Sequence, residues 1–269
     1  MYYEVNGTTY WIKKSGSGPA MLLLHGFTGS AETWKGFVEK WQATHTVLAI
    51  DLPGHAKTTS NNSVTMKMCC QDIAEILQSF GLNKIIVLGY SMGGRTGLSF
   101  ACLYPDLVDK LILESASPGL QSAEDRTARQ NKDEQLAMMI EKDGISAFVD
   151  FWEEIPLFAS QKQLSFEKKK AIRKERLSHT ADGLAMSLRA MGTGTQPSWW
   201  EYLERLSIPT LLLAGGSDTK FVKLNENMHK LLPQSDFRII ENAGHAIHVE
   251  QAEIFGKIVG EFIYDSKMV

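Results

Sequence analysis

Six short, continuously apolar runs recur along the chain, and each ends in a turn rich in Gly. They are AMLLLHG (residues 20–26), TVLAIDLPG (46–54), KIIVLGYSMGG (84–94), DKLILES (109–115), IPTLLLAGGSD (208–218) and FRIIENAGH (237–245). A strand apolar at every position is buried on both faces, which is the condition of a parallel sheet covered by helices. Amphipathic stretches at residues 66–80 and 249–264 supply covering helices. The alternation predicts an α/β chain with an open, mostly parallel sheet flanked by helices. Residues 118–205 interrupt it. They hold no good strand, and helical patterning runs over residues 122–141, 145–153 and 165–189. This reads as a helical cap over the carboxyl ends of the strands, where open α/β sheets bind ligands. Residues 1–117 and 206–269 then form the core.

The first segment, MYYEVNGTTYWIKK, alternates around Asn6-Gly7 and predicts a β-hairpin with a type I′ turn. It has neither the basic start nor the apolar run of a signal peptide, and no apolar run is long enough to span a bilayer. Of the 269 residues 43% are hydrophobic and 22% charged, as in ordinary globular chains. The net charge of -3 gives no reason to expect nucleic acid or an anionic membrane as partner. Three cysteines (Cys69, Cys70 and Cys102) lack metal-type spacing and suit a reducing, cytoplasmic setting.

Gly89-Tyr90-Ser91-Met92-Gly93 matches G-x-S-x-G, and it follows an apolar strand and opens a helical stretch. That context marks a nucleophile turn and the α/β-hydrolase fold. A Ser hydroxyl needs a His to activate it, and the His needs a carboxylate to orient it. In this fold they follow in the order Ser, acid, His. Asp218 and His245 each stand directly after a predicted strand. Among the other histidines, His248 is the nearest rival, but its position fits the start of the last helix. His25 reads as a structural hydrogen-bonding residue, and His45, His179 and His229 lie in polar stretches expected to be solvated. The oxyanion hole should use the backbone N–H of Met92 and that of Phe27, where Gly26 lets the chain turn inward.

Arg95 breaks a local rule, for it lies in the first turn of the helix that Ser91 opens, where the helix dipole disfavours a cation. It stands four residues from Ser91 and so shares its helix face. One reading is a structural ion pair; the sharper one is an anion-binding residue. Six of the eight arginines (Arg126, Arg129, Arg173, Arg176, Arg189 and Arg205) fall in the cap or at its end. Arginine suits bidentate capture of carboxylates, so the group points to a substrate with several carboxylates. For each single arginine a salt-bridged solvent face is the competing reading. Aromatics also gather in the cap: Phe148, Phe151, Trp152, Phe158, Trp199 and Trp200. Most are expected to pack cap on core.

LLHGFTGSAETW, DLPGHAKT, GYSMGGR, SPGLQSAEDRTARQ, FWEEIPLFAS, SHTADGLAMSLRAMGTGTQPSWW and GGSDTKF together resemble the 2-succinyl-6-hydroxy-2,4-cyclohexadiene-1-carboxylate synthases of menaquinone biosynthesis. The likeness runs over residues 22–250, and the cap motifs carry its specificity. It implies a cofactor-independent lyase, without metal, that eliminates pyruvate from 2-succinyl-5-enolpyruvyl-6-hydroxy-3-cyclohexene-1-carboxylate, a tricarboxylate. It implies Ser91, Asp218 and His245 as triad, Arg95, Arg129 and Arg176 as carboxylate binders, and Tyr90 and Trp152 as pocket residues. The partner is then a small molecule, acted on by a monomer or small homo-oligomer with no stable membrane insertion. Ala56, Gly216 and Ala246 depart from the family, where Gly, Glu and Asn are usual. Two other functions share the fold: a serine hydrolase of an ester or carbon–carbon bond, and a non-catalytic small-molecule receptor.

Overall fold

Asn6 and Gly7 take φ of 49° and 79°. This is the doubly positive geometry of a type I′ turn, and it joins β1 (Tyr2–Val5) to β2 (Thr8–Ser15) as the Asn-Gly pair predicts. The computed structural model describes residues 1–264. The remaining strands are β3 (Ala20–Leu24), β4 (Thr46–Ile50), β5 (Thr59–Ser60), β6 (Ile85–Tyr90), β7 (Val108–Glu114), β8 (Thr210–Gly215) and β9 (Ser235–Ile240). Among the described residues they form one sheet in the order β1-β2-β4-β3-β6-β7-β8-β9, with the short β5 beside β2. Every pair from β4 to β9 is parallel, and β1, β2 and β5 pair antiparallel. The sixth predicted strand is shifted, since β9 begins at Ser235 and ends five residues before His245. As the outer strand it is half covered, and Arg238 and Ile239 are exposed. Residues 241–245 leave the sheet and carry His245 across its top.

In chain order the helices are α1 (Lys35–Trp41), α2 (Met66–Ser79), α3 (Met92–Leu103), α4 (Ala123–Glu154), α5 (Phe166–Arg176), α6 (Ala181–Met191), α7 (Thr219–Leu231), α8 (Ile247–Glu250) and α9 (Ala252–Tyr264). Successive strand side chains face opposite sides of the sheet, so each inner strand feeds two cores. Leu22, Leu24, Leu48 and Val87 pack with Ile73, Ile76 and Leu98 of α2 and α3. Met21, Leu23, Val47 and Leu88 pack with Trp34, Trp41, Phe255 and Val259 on the α1 and α9 side. No helix among the described residues is long and apolar enough to cross a membrane.

Helices α4, α5 and α6 are the cap, inserted between β7 and β8. Helix α4 breaks at Gly144, whose φ of 81° and ψ of 170° only glycine adopts readily. This separates the two stretches expected at residues 122–141 and 145–153. The stretch at 165–189 is two helices rather than one. Thr180 accepts the Gly183 N–H and so starts α6 afresh. The preceding His179 is buried, not solvated: Nδ1 accepts the Ala56 N–H (2.9 Å) and Nε2 donates to the Thr28 carbonyl (2.9 Å). His45 is likewise buried, with Nδ1 2.9 Å from the Thr44 hydroxyl. Phe148 is fully buried with Ala137, Ile140 and Leu184 in the cap's own core, whereas Phe151 is half exposed.

Candidate active site

Ser91 takes φ 50° and ψ -106° at the junction of β6 and α3, a strained conformation for a residue with a Cβ. The flanking glycines make that turn possible. A Cβ on Gly89 would lie 2.3 Å from the Gly93 carbonyl oxygen, and one on Gly93 only 2.1 Å from that of Leu24. The Ser91 N–H donates to the Glu114 carbonyl (2.8 Å), which ties the turn to β7.

His245 lies with Nε2 3.0 Å from Ser91 Oγ and Nδ1 2.7 Å from Asp218 Oδ2. A carboxylate on Nδ1 holds the proton there and leaves the Nε2 lone pair for the serine hydroxyl. Asp218 follows β8, and its Oδ1 also accepts the Phe221 N–H (3.4 Å) at the start of α7. The His245 loop is pinned by Glu250, which accepts the Gly244 N–H (2.7 Å). His245 itself is 2% exposed, so water hardly competes for either ring nitrogen. Two N–H groups, of Phe27 after β3 and of Met92 at the start of α3, have no acceptor among the described residues. They remain available to an oxyanion.

The arginines divide by partner. Arg189 binds Glu134 and Glu141, and Arg173 binds Asp150 and Glu153. Arg205 is exposed, and Arg126 reaches only the Leu120 and Gln121 carbonyls, at 3.4 Å. For Arg173 and Arg189 the solvent-face reading therefore holds. Arg95 differs, because no carboxylate lies within ion-pair distance among the described residues. Its Nη1 donates to the carbonyl oxygens of Met191 (2.9 Å) and of the Gln196 side chain. Burial, aided by Arg129, lowers its pKa to about 9, with Asp133 opposing. It still carries its charge at pH 7, and among the described residues Asp133 acts on it only from beyond ion-pair distance. Arg129 donates to Asp133 Oδ1 (2.8 Å) from a partly exposed position.

Arg176 is buried, stacks on Phe158 (4.7 Å) and donates to Gln161 (3.2 Å), with Glu153 3.5 Å away. Burial lowers its pKa, against the pull of Glu153 and Tyr90. Arg176 and Tyr90 line one cavity of about 60 Å³ with Phe27 and Phe158. Tyr90 packs 5.4 Å from the His245 ring. Trp152 stands 5.5 Å from the Phe27 ring, and its buried Nε1 has no partner among the described residues. The structure thus groups Ser91, His245 and Asp218, with Tyr90 and Arg176 to one side. Arg95 sits one helical turn from Ser91.

Sequence reading missed Gln196 and Gln161, the acceptors that hold Arg95 and Arg176. Gln161 lies in no motif, and Gln196 lies inside MGTGTQPSWW, a motif that marks the segment without saying which side chain holds Arg95. Of the departures, Ala56 holds φ 46°, a left-handed conformation that explains why Gly is usual there. A Cβ at Gly216 would meet Glu241 Oε2 at 3.1 Å. Ala246 lines the small cavity.

A serine on a strained strand-to-helix turn, a His–Asp pair from later strand ends and a helical cap define a triad enzyme of the α/β-hydrolase class. The chain belongs to the α/β-hydrolase fold family, which matches residues 19–252, and within it to the 2-succinyl-6-hydroxy-2,4-cyclohexadiene-1-carboxylate synthases. It is 42% identical over 265 residues to the Bacillus subtilis (strain 168) protein of that name, covering 96% of each chain. It is 29% identical over 249 residues to the synthase of Serratia proteamaculans (strain 568), covering 91% of this chain and 93% of the relative. MenH from S. aureus superposes with a TM-score of 0.90 at 34% identity, covering 94% of this chain and 97% of that one.

Proposed function

We propose that the chain is a lyase of menaquinone biosynthesis, converting 2-succinyl-5-enolpyruvyl-6-hydroxy-3-cyclohexene-1-carboxylate to 2-succinyl-6-hydroxy-2,4-cyclohexadiene-1-carboxylate and pyruvate. The observation that carries this reading is Arg95, a buried cation with no ion-pair partner among the described residues, one helical turn from a hydrogen-bonded Ser–His–Asp triad. A buried cation beside the triad suits an anionic substrate, and a tricarboxylate supplies that anion. Likeness to the named synthases over most of both chains supports the same substrate.

In this reading His245 takes the Ser91 hydroxyl proton while Ser91 takes the ring C2 proton, next to the succinyl ketone. The C2–H electron pair forms the C2–C3 double bond, the C3–C4 double bond shifts to C4–C5, and the C5–O bond to the enolpyruvyl group breaks. Pyruvate leaves as its enolate, is protonated and ketonises; no water enters the products. During proton removal, negative charge builds on the succinyl ketone oxygen, and the Phe27 and Met92 N–H groups stabilise it. Such donors contribute about 3 kcal/mol each. Asp218 orients His245 and stabilises its cation. Arg95, Arg129 and Arg176 bind the substrate carboxylates, and Tyr90 and Trp152 shape the pocket. The enzyme works in the cytoplasm as a monomer or small homo-oligomer.

One observation favours a second reading. The esterase of Thermogutta terrifontis is 29% identical with a TM-score of 0.84, and a bonded triad also suits acyl transfer. The test follows pyruvate after addition of the enolpyruvyl substrate, with p-nitrophenyl esters in parallel. Wild type should release pyruvate, Ser91→Ala should not, and the esters should turn over poorly. Fast ester turnover without pyruvate release selects the esterase.

A further inference from the structure

The triad leaves a second buried carboxylate–imidazole pair unused. Glu114, at the end of β7, has no exposed surface, and His248 in α8 is 4% exposed. His248 Nδ1 lies 2.9 Å from both Glu114 carboxylate oxygens, and its backbone N–H donates to Oε1 (3.0 Å). The pair repeats the Asp218–His245 arrangement on the other side of Tyr90, whose ring centre is 4.6 Å from His248 and 5.4 Å from His245.

Burying a polar carboxylate–imidazole contact costs desolvation that apolar residues of similar volume avoid, so packing alone gives weak reason for one here. Glu114 occupies Nδ1 and the main-chain N–H. Nε2 is then the remaining polar atom of His248, and the described residues offer it no hydrogen-bond partner. His248 lines the same cavity of about 60 Å³ as Arg176 and Tyr90. That space exceeds what one water needs and suits a carboxylate group. Glu175 also lines it, but its Oε1 already accepts from the Ser30 (2.5 Å) and Thr33 (2.8 Å) hydroxyls. Burial raises the Glu175 pKa, against the Ser30 and Thr33 hydroxyls and the nearby His248.

We propose that His248 is a further substrate-binding residue that takes up a proton between two carboxylates, its Nδ1–H on Glu114 and its Nε2–H on a substrate carboxylate shared with Arg176, and that Glu114 is the positioning residue behind it. This rests on the lyase reading above.

The test compares steady-state kinetics of pyruvate release. His248→Phe alone would leave Glu114 buried without its donor, so it is made together with Glu114→Met, which removes the pair at similar volume. Losing one charge-assisted bond should raise KM on the order of tenfold to a hundredfold, with kcat little changed and a native circular dichroism spectrum. Glu114→Gln, which keeps an acceptor for Nδ1, should raise KM by a smaller factor in the same direction. A changed melting temperature with unchanged KM in both variants would show a purely structural pair and overturn the proposal. A loss confined to kcat overturns it too. Absence of pyruvate release by wild type removes this proposal together with the lyase reading, whereas normal wild-type turnover with normal variant KM removes this one alone.

Discussion

Exchanging Arg95 for Met separates the two jobs an arginine can hold. If Arg95 were structural, its loss would cost stability; if it waits for a substrate anion, its loss should spare the fold and damage turnover. In the free protein the guanidinium gives hydrogen bonds only to the Met191 carbonyl and the Gln196 side chain, both neutral. Each such bond contributes about 1 kcal/mol net. Against this stands the cost of keeping the charge. The fall in pKa to about 9, at about 1.4 kcal/mol per pH unit, sets an upper limit near 5 kcal/mol. The side chain is partly exposed, and solvent screening brings the cost down to a few kcal/mol. The two sides nearly cancel, so Arg95→Met should melt within a few degrees of wild type. Activity should respond differently. Removing one member of a buried arginine–carboxylate contact costs about 2–5 kcal/mol, which is on the order of thirtyfold to several thousandfold in kcat/KM. Pyruvate-release kinetics and a melting curve on the same preparation read both quantities. Kinetics within about threefold of wild type, or a large drop in melting temperature with residual activity intact, would refute the reasoning.

Three further outcomes are expected. Ala56→Gly relieves the left-handed backbone at φ 46° and should raise stability by about 0.5–1 kcal/mol, seen as a melting shift of about 1–3 °C; an unchanged or lower value would deny that strain. Gly93→Ala forces a Cβ to 2.1 Å from the Leu24 carbonyl oxygen and should abolish soluble folded protein or its activity, while a folded, active variant would show that the turn has slack. The third concerns acid. Burial lowers the His25 pKa to about 3 and lowers those of His55 and His179 too. The unfolded chain protonates these rings near pH 6.5. Their neutral forms thus contribute stability that is complete above about pH 6.5 and is lost as pH falls below it. Each steepens the loss by up to about 1.4 kcal/mol per pH unit. Asp51 and Glu175, raised by burial, oppose this because the folded state takes up their protons earlier. His55→Phe should flatten the acid limb of a melting-temperature profile, and a wild-type profile flat from pH 7 to 5 would contradict the argument.

The sheet was legible because burial on both faces writes itself locally, as in Leu22-Leu23-Leu24, where no alternation survives. The same logic misplaced β9, since an edge strand is covered on one side only and mixes Arg238 with Ile239. Ser91, Asp218 and His245 were legible because each follows a strand, and the sheet brings strand ends together. The division among arginines was not. Arg189 pairs with Glu134 across 55 positions of chain, and Arg95 owes its isolation to neutral groups about a hundred positions away. Among the described residues, Arg129–Asp133, at i and i+4, and Arg238–Asp236, at i and i+2 on a strand, have a local signature. The burial of His179 was hidden for the same reason, because its partners Thr28 and Ala56 belong to distant core loops.

The central claim is that Ser91 removes a proton rather than forming an ester. The most direct measurement is the isotope effect on kcat/KM when the ring C2 hydrogen, next to the succinyl ketone, is replaced by deuterium. It is read together with the intact mass of the protein during turnover. The account predicts a primary isotope effect, its disappearance with all turnover in Ser91→Ala, and an unmodified protein mass throughout. No isotope effect, together with a substrate-derived adduct on Ser91, would contradict it.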